Sequence, residues 1–150
     1  MSKDTGFSIS SAERYSLALF ELSEEKNILN QIEEQSLSIL NLINQSKDFI
    51  NLIKDPTINQ KDLSRVINKL FENNKFDNLF KNFLNFLIQK RRFFFLERIL
   101  KSFIEICSKK RGELMAELKS AKKLSSDEIK KITDELSTNF KSKIKLNYKH

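Results

Sequence analysis

The chain has 150 residues, 39% of them hydrophobic and thirteen of them Phe, so a chain of this length can bury roughly two-thirds of its unfolded surface in a real core. Two glycines (Gly6, Gly112) and one proline (Pro56) leave too few turn formers for hairpins, barrels or glycine-rich phosphate loops, which points to helices. Formal charge is +7 and unevenly placed: residues 1–75 carry 9 basic and 11 acidic groups (−2), residues 76–150 carry 18 and 9 (+9), an asymmetry that can mark a nucleic-acid, membrane or acidic-protein partner.

In chain order, Ser10 with Glu13 forms a capping box, followed by Tyr15, Ala18, Leu19 and Leu22 at i, i+3, i+4, i+7, the first helix. Ile28, Ile32, Ile39 and Ile43, widened by Leu29, Leu37 and Leu40, give a second helix expected at the centre of a bundle. Ser46 caps a short third helix through Phe49, Ile50 and Ile53, which Asp55-Pro56 must stop because a residue before proline resists helical geometry. Asn59 opens a fourth with the stripe Leu63, Val66, Ile67, Leu70 and Phe71. A fifth carries Phe76, Leu79, Phe80, Phe83, Leu84 and Leu87, and a sixth carries Leu96, Ile99, Leu100, Phe103, Ile104 and Cys107.

Between the last two the register fails at Lys90 and Arg91, so "QKRR" marks a helix end, where cations are favourable. Within "KRRFFF", Phe93 is placed in the core and Phe94 outside. Beyond Gly112, residues 113–119 have helical propensity but alternate as a strand, and the strand reading is adopted; Ser125 and Glu128 cap a helix carrying Ile129, Ile132, Leu136 and Phe140, and residues 144–148 alternate again. The expected fold is mainly α: a six-helix N-terminal bundle at 1–108, followed at 109–150 by a small, incomplete strand-helix-strand α/β portion.

Chemistry is sparse. The sole histidine is the terminal His150 and Cys107 is alone among apolar residues, so the usual triad or zinc ligands cannot be assembled, and no catalytic, metal or cofactor residue is assigned. The pairs Glu24-Glu25, Glu33-Glu34 and Asp127-Glu128 read as solvated or capping charges rather than acid/base pairs. No apolar run approaches the roughly 20 residues of a spanning helix, and the start lacks a signal pattern. The surplus lies elsewhere: Leu17 and Phe20 on the first helix, and Phe86 and Ile88 on the fifth, extend the apolar arc beyond one core face, which means either central burial or a second surface for a partner.

"SAERYSLALFELS", with Ala12, Tyr15, Ala18 and Phe20, resembles the opening helix of the delta subunit of F-type ATP synthases, the oligomycin-sensitivity-conferring protein family. "NFLNFLIQKRRFFFLERILKSF", with Arg92, Leu96 and Ile99 in register, is similar to that family's Phe/Leu-rich helix, turn and following helix. "RGELMAELKSAKKLSSDEIKKITDEL" and "KIKLNY" resemble its strand, capped helix and next strand. Two departures accompany the match. Arg91 stands where the family often has Gly, implying another turn conformation or a longer helix, and the Gly-Gly segment, further strand and final helix that usually follow are not found after His150.

The resemblance implies a non-catalytic stator subunit, without an active site of its own, that joins catalytic head to peripheral stalk and resists rotor torque. Its implied partners are alpha subunits of the head and paired b-type stalk helices, with no direct nucleic acid and no transmembrane segment. It would sit peripherally on the cytoplasmic face of the inner membrane through the complex. Helices 1 and 5 would flank a groove for an alpha-subunit N-terminal helix, with Tyr15, Ala18, Leu22, Phe83 and Phe86 as candidate contacts. The rival reading is a basic all-helical nucleic-acid-binding adaptor, favoured by the +9 half but without a recognised motif.

Overall fold

A computed structural model describes the backbone of residues 2–149 and the side chains of residues 11–113 and 116–149. Six α-helices, α1 (Ser2–Glu25), α2 (Leu29–Gln45), α3 (Lys47–Lys54), α4 (Gln60–Asn74), α5 (Asn78–Gln89) and α6 (Leu96–Lys110), are followed by β1 (Leu114–Lys119), α7 (Ser126–Phe140) and β2 (Ile144–Lys149). The fold is therefore mainly α. Contacts divide it into two compact units, Met1–Ile104 and Glu105–His150, a division that falls within α6.

Local chemistry accounts for most boundaries. The side chains of Ser46 and Asn59 accept hydrogen bonds from the backbone N–H of Phe49 and Asp62 at the starts of α3 and α4. Asp77 does the same for Leu79 at the start of α5, and Ser125 with Glu128 closes a reciprocal capping box on α7. Helix α1 departs from expectation: its backbone is helical from Ser2, so Ser10 and Glu13 lie inside the helix instead of opening it. The side chain of Ser10 lies outside the described residues, as does His150. No proline precedes Ser10, and Gly6 costs only about 1 kcal/mol in a helix, so nothing local stops the helix there.

Helix ends are instructive in a chain so poor in glycine. Asn27, Arg91 and Gly112 each adopt a left-handed conformation (φ 56°, 57° and 71°). Behind each, the next residue's N–H reaches back five residues: Ile28 to Ser23 O (2.9 Å), Arg92 to Leu87 O (2.8 Å) and Glu113 to Ser108 O (3.0 Å). All three are Schellman stops. At Arg91 neither a longer helix nor an unusual turn results. The arginine takes the backbone conformation that glycine prefers and bears its steric cost.

In the first unit the core is assembled from one stripe per helix: Leu19 and Phe20, Ile32 and Ile39, Phe49 and Ile53, Ile67 and Phe71, Phe80 and Leu84, Ile99 and Phe103. Phe71, Phe76 and Phe80 form an edge-to-face chain with centroids 5.0 and 5.8 Å apart. Helix α2 is amphipathic rather than enclosed, because Leu37 stays 40% exposed while Ile32, Ile39 and Ile43 are buried. Glu33, expected in solvent, is buried beside Ile32 and Ser36.

In the second unit β1 and β2 pair in parallel, Leu114 opposite Ile144 through Lys119 opposite Lys149. A parallel pair needs a crossover, and α7 supplies it. The Tyr148 hydroxyl accepts from Leu124 N–H at 3.0 Å and ties β2 to the loop entering α7.

Candidate partner-docking face

The 3.6-residue repeat sorts α1 into faces. Ala12, Ser16, Leu19, Phe20 and Ser23 point inward and are buried. Tyr15, Ala18 and Leu22 follow one another along the neighbouring flank. Leu22 is 45% exposed, Ala18 is exposed and Tyr15 half-buried. On α5, Phe80, Leu84, Leu87 and Ile88 take the core side, whereas Phe86 stands off it at 42% exposure. The two flanks meet where the rings of Tyr15 and Phe86 pack edge to face, 6.1 Å between centroids.

The site residues named from the sequence therefore separate. Tyr15, Ala18, Leu22 and Phe86 offer surface. Phe83, one turn before Phe86, is buried beside Phe80 and Leu84 and contributes to the core. The surplus apolar residues divide in the same way: Phe20 and Ile88 are buried, Leu17 remains 48% exposed, and Leu17 lies on the opposite flank of α1 from Tyr15. One member was not anticipated. Lys90 sets its Nζ 5.7 Å from the centroid of the Phe86 ring, a cation over a π face. The i, i+4 spacing of Phe86 and Lys90 was the available signal. The flank is thus an apolar strip with an aromatic pair at its middle and a positive charge at its end.

Reactive chemistry is not gathered here. Among the described residues no three of His, Cys, Asp and Glu lie close enough together to share a metal ion. The carboxylates with displaced pKa values all move downward, each beside local donors. The Thr57 hydroxyl and N–H hold Asp55 down, the Ser125 N–H and hydroxyl hold Glu128, Lys149 with Lys119 holds Glu117, and Arg111 with Lys143 holds Glu113. Such shifts stabilise the ionised form; a general acid near neutral pH needs the reverse. Cys107 is fully buried, in keeping with a small hydrophobe.

The fold, a helical bundle followed by a small parallel β-α-β unit, is similar to that of a solved chain in a cryo-EM composite model of the Toxoplasma gondii mitochondrial ATP synthase hexamer. The TM-score is 0.78 at 24% identity, covering 91% of this chain and 76% of that one, a likeness of fold. The family model for the ATP synthase delta (OSCP) subunit matches residues 12–150. An ATP synthase subunit delta of Pelagibacter ubique (strain HTCC1062) is 59% identical over 150 residues, all of this chain and 81% of its own length. One from Clostridium botulinum (strain Kyoto / Type A2) is 32% identical over 131 residues, 87% of this chain and 73% of its own. The chain belongs to the ATP synthase delta (OSCP) subunit family.

Proposed function

We propose that the chain is a non-catalytic stator subunit of a proton-translocating F-type ATP synthase, linking the catalytic head to the peripheral stalk and resisting rotor torque during ATP synthesis. The observation that carries this reading is the exposed strip of Tyr15, Ala18, Leu22 and Phe86, held together across α1 and α5 by the Tyr15–Phe86 ring contact. A strip of this kind fits one face of an amphipathic helix with anchors at i, i+3, i+4 and i+7. The occupant we assign is the N-terminal helix of an alpha subunit.

The second unit is assigned to the paired b-type stalk helices. Its support is the stripe of α7: Ile129, Ile132 and Leu136 are only half-covered and Phe140 is 61% exposed, so the helix keeps apolar area to offer. Among the described residues no helix is long and apolar enough to cross a membrane, so attachment at the cytoplasmic face of the inner membrane would come through the assembled complex. The role is mechanical, and interface affinity takes the place of a reactive residue.

The test is a titration of the full chain with a peptide spanning the amphipathic N-terminus of the matching alpha subunit. Truncating a desolvated interface Phe costs on the order of 2 kcal/mol, so Phe86→Ala should weaken binding about 30-fold. Unchanged affinity in that variant, with a sharply lowered unfolding midpoint, would return Phe86 to the core and remove the site.

A further inference from the structure

On the first unit a half-open cleft of about 950 Å³ lies between the α3–α4 connection and the turn after α5. Its apolar lining comes from Ile53, Ile58, Leu63, Ile88 and Phe93, of which Ile53, Ile88 and Phe93 are buried. Lys54, Lys61, Arg91 and the exposed ring of Phe94 stand around them. None of the strip residues Tyr15, Ala18, Leu22 and Phe86 lines this cleft.

The walls are firmly placed. The Gln60 side-chain amide donates to the carbonyls of Ile88 and Gln89, both at 3.1 Å, and so latches the start of α4 onto the end of α5. Asp55 accepts from the Thr57 hydroxyl at 2.6 Å and from its N–H at 2.8 Å, which folds the connection back on itself. Arg91 holds a left-handed conformation that costs a non-glycine residue free energy, and strain of this sort tends to accumulate where a side chain is needed for binding. Phe94 leans on Phe95, centroids 4.3 Å apart, and so keeps its orientation while remaining 56% exposed.

Charge identifies the occupant. Three cations, Lys54, Lys61 and Arg91, face one carboxylate, Asp55, and none of the three has a carboxylate within ion-pair distance among the described residues. The amino end of α4 adds a partial positive charge, while the carbonyl end of α5 is already occupied by Gln60. A nucleic-acid strand would need cations tracking its backbone and successive stacking rings. The cleft instead offers an apolar floor beneath a short positive rim, with a volume at the upper end of the range for a concave binding pocket.

We propose that this cleft is a docking site for an acidic peptide segment of a partner protein, its apolar side chain entering over Ile88 and Phe93 and its carboxylates meeting Lys54, Lys61 and Arg91. The site is distinct from the α1–α5 strip and does not depend on it.

The test is selection of twelve-residue peptides from a displayed random library against the full chain, followed by titration of the selected peptides while backbone amide resonances are recorded. Selected sequences should pair Asp or Glu with Leu, Ile or Phe, and should shift the amides of residues 54–61 and 91–94. Arg91→Gly separates charge from fold. It relieves the left-handed strain and should raise the melting temperature, yet weaken binding about fivefold, the upper range for a rim ion pair. Lys54→Glu with Lys61→Glu should weaken it further, and raised salt should weaken the unmodified complex. Selected peptides without acidic residues, amide shifts confined to other surfaces, or equal affinity in Arg91→Gly would each overturn the proposal. So would perturbation of the same amides by oligothymidylate or phosphatidylserine vesicles alone.

Discussion

The Ser16 hydroxyl of α1 lies 2.8 Å from the backbone carbonyl of Ile99 on α6, eighty-three residues away in sequence, and 2.6 Å from the carbonyl of Ala12 in its own helix. A hydroxyl has one proton, so it serves these two oxygens alternately or by sharing. The small side chain lets the two backbones approach, and Ser16 is fully buried as a result. Ser16→Ala keeps that approach and should cost about 1 kcal/mol in urea unfolding. Ser16→Leu must push the helices apart and should cost about 3 kcal/mol. Equal losses would mean that the close approach is unimportant. Ser108 makes the useful contrast: equally buried, its hydroxyl finds no partner among the described residues, so Ser108→Ala should be neutral or stabilising.

Phe83 and Phe86 are separated by one helical turn but differ in burial, 8% against 42% exposed. Phe83→Ala should lose about 3 kcal/mol of stability through cavity formation, whereas Phe86→Ala should lose less than about 1 kcal/mol. Paired denaturant melts at constant slope test this. A larger loss at Phe86 would place that ring in the core.

Glu113 is buried at the entrance to β1, with Arg111 Nε 3.2 Å and Lys143 Nζ 3.5 Å from its Oε1. Arg111 above all holds its carboxyl below the ordinary value, against the opposing effect of burial. A group whose folded pKa is depressed contributes stability that is present above its unfolded pKa of about 4.3 and lost as pH falls through the folded value. The second unit should therefore weaken from about pH 5 downward. Glu113→Gln should be less stable at pH 7 and lose less on acidification than the unmodified chain, read by urea unfolding at pH 7 and pH 3.5. Parallel losses in the two proteins would assign the acid sensitivity to other carboxylates.

The six core stripes lie in residues 1–108, and that fragment should melt cooperatively with strong helical circular dichroism. In the isolated full chain, residues 112–149 should exchange amide protons faster than α5 and α6. Two strands and one helix without a buried residue offer too little covered surface for independent stability. Exchange there as slow as in α5 would show that the unit stands by itself.

Most helix caps, stops and faces were legible from local spacing, because each is decided by groups within five residues of one another; the Ser10–Glu13 box, which lies inside α1, is the exception. Ser46, Asn59, Ser125 with Glu128, and the inward Phe93 beside the outward Phe94 all follow from backbone hydrogen bonding or from the 3.6-residue repeat. Spacing also showed that α1 and α5 carry more apolar area than one face needs. It could not divide that surplus, since whether Ile88 or Phe20 turns to core while Phe86 or Leu17 turns to solvent depends on which helix lies alongside. Contacts between residues far apart in sequence decided it, as they decided the burial of Glu33, the Gln60 latch across α4 and α5, and the cleft beneath Arg91. Periodicity reports the faces of a single helix, and a groove or a cleft exists only where two helices share one.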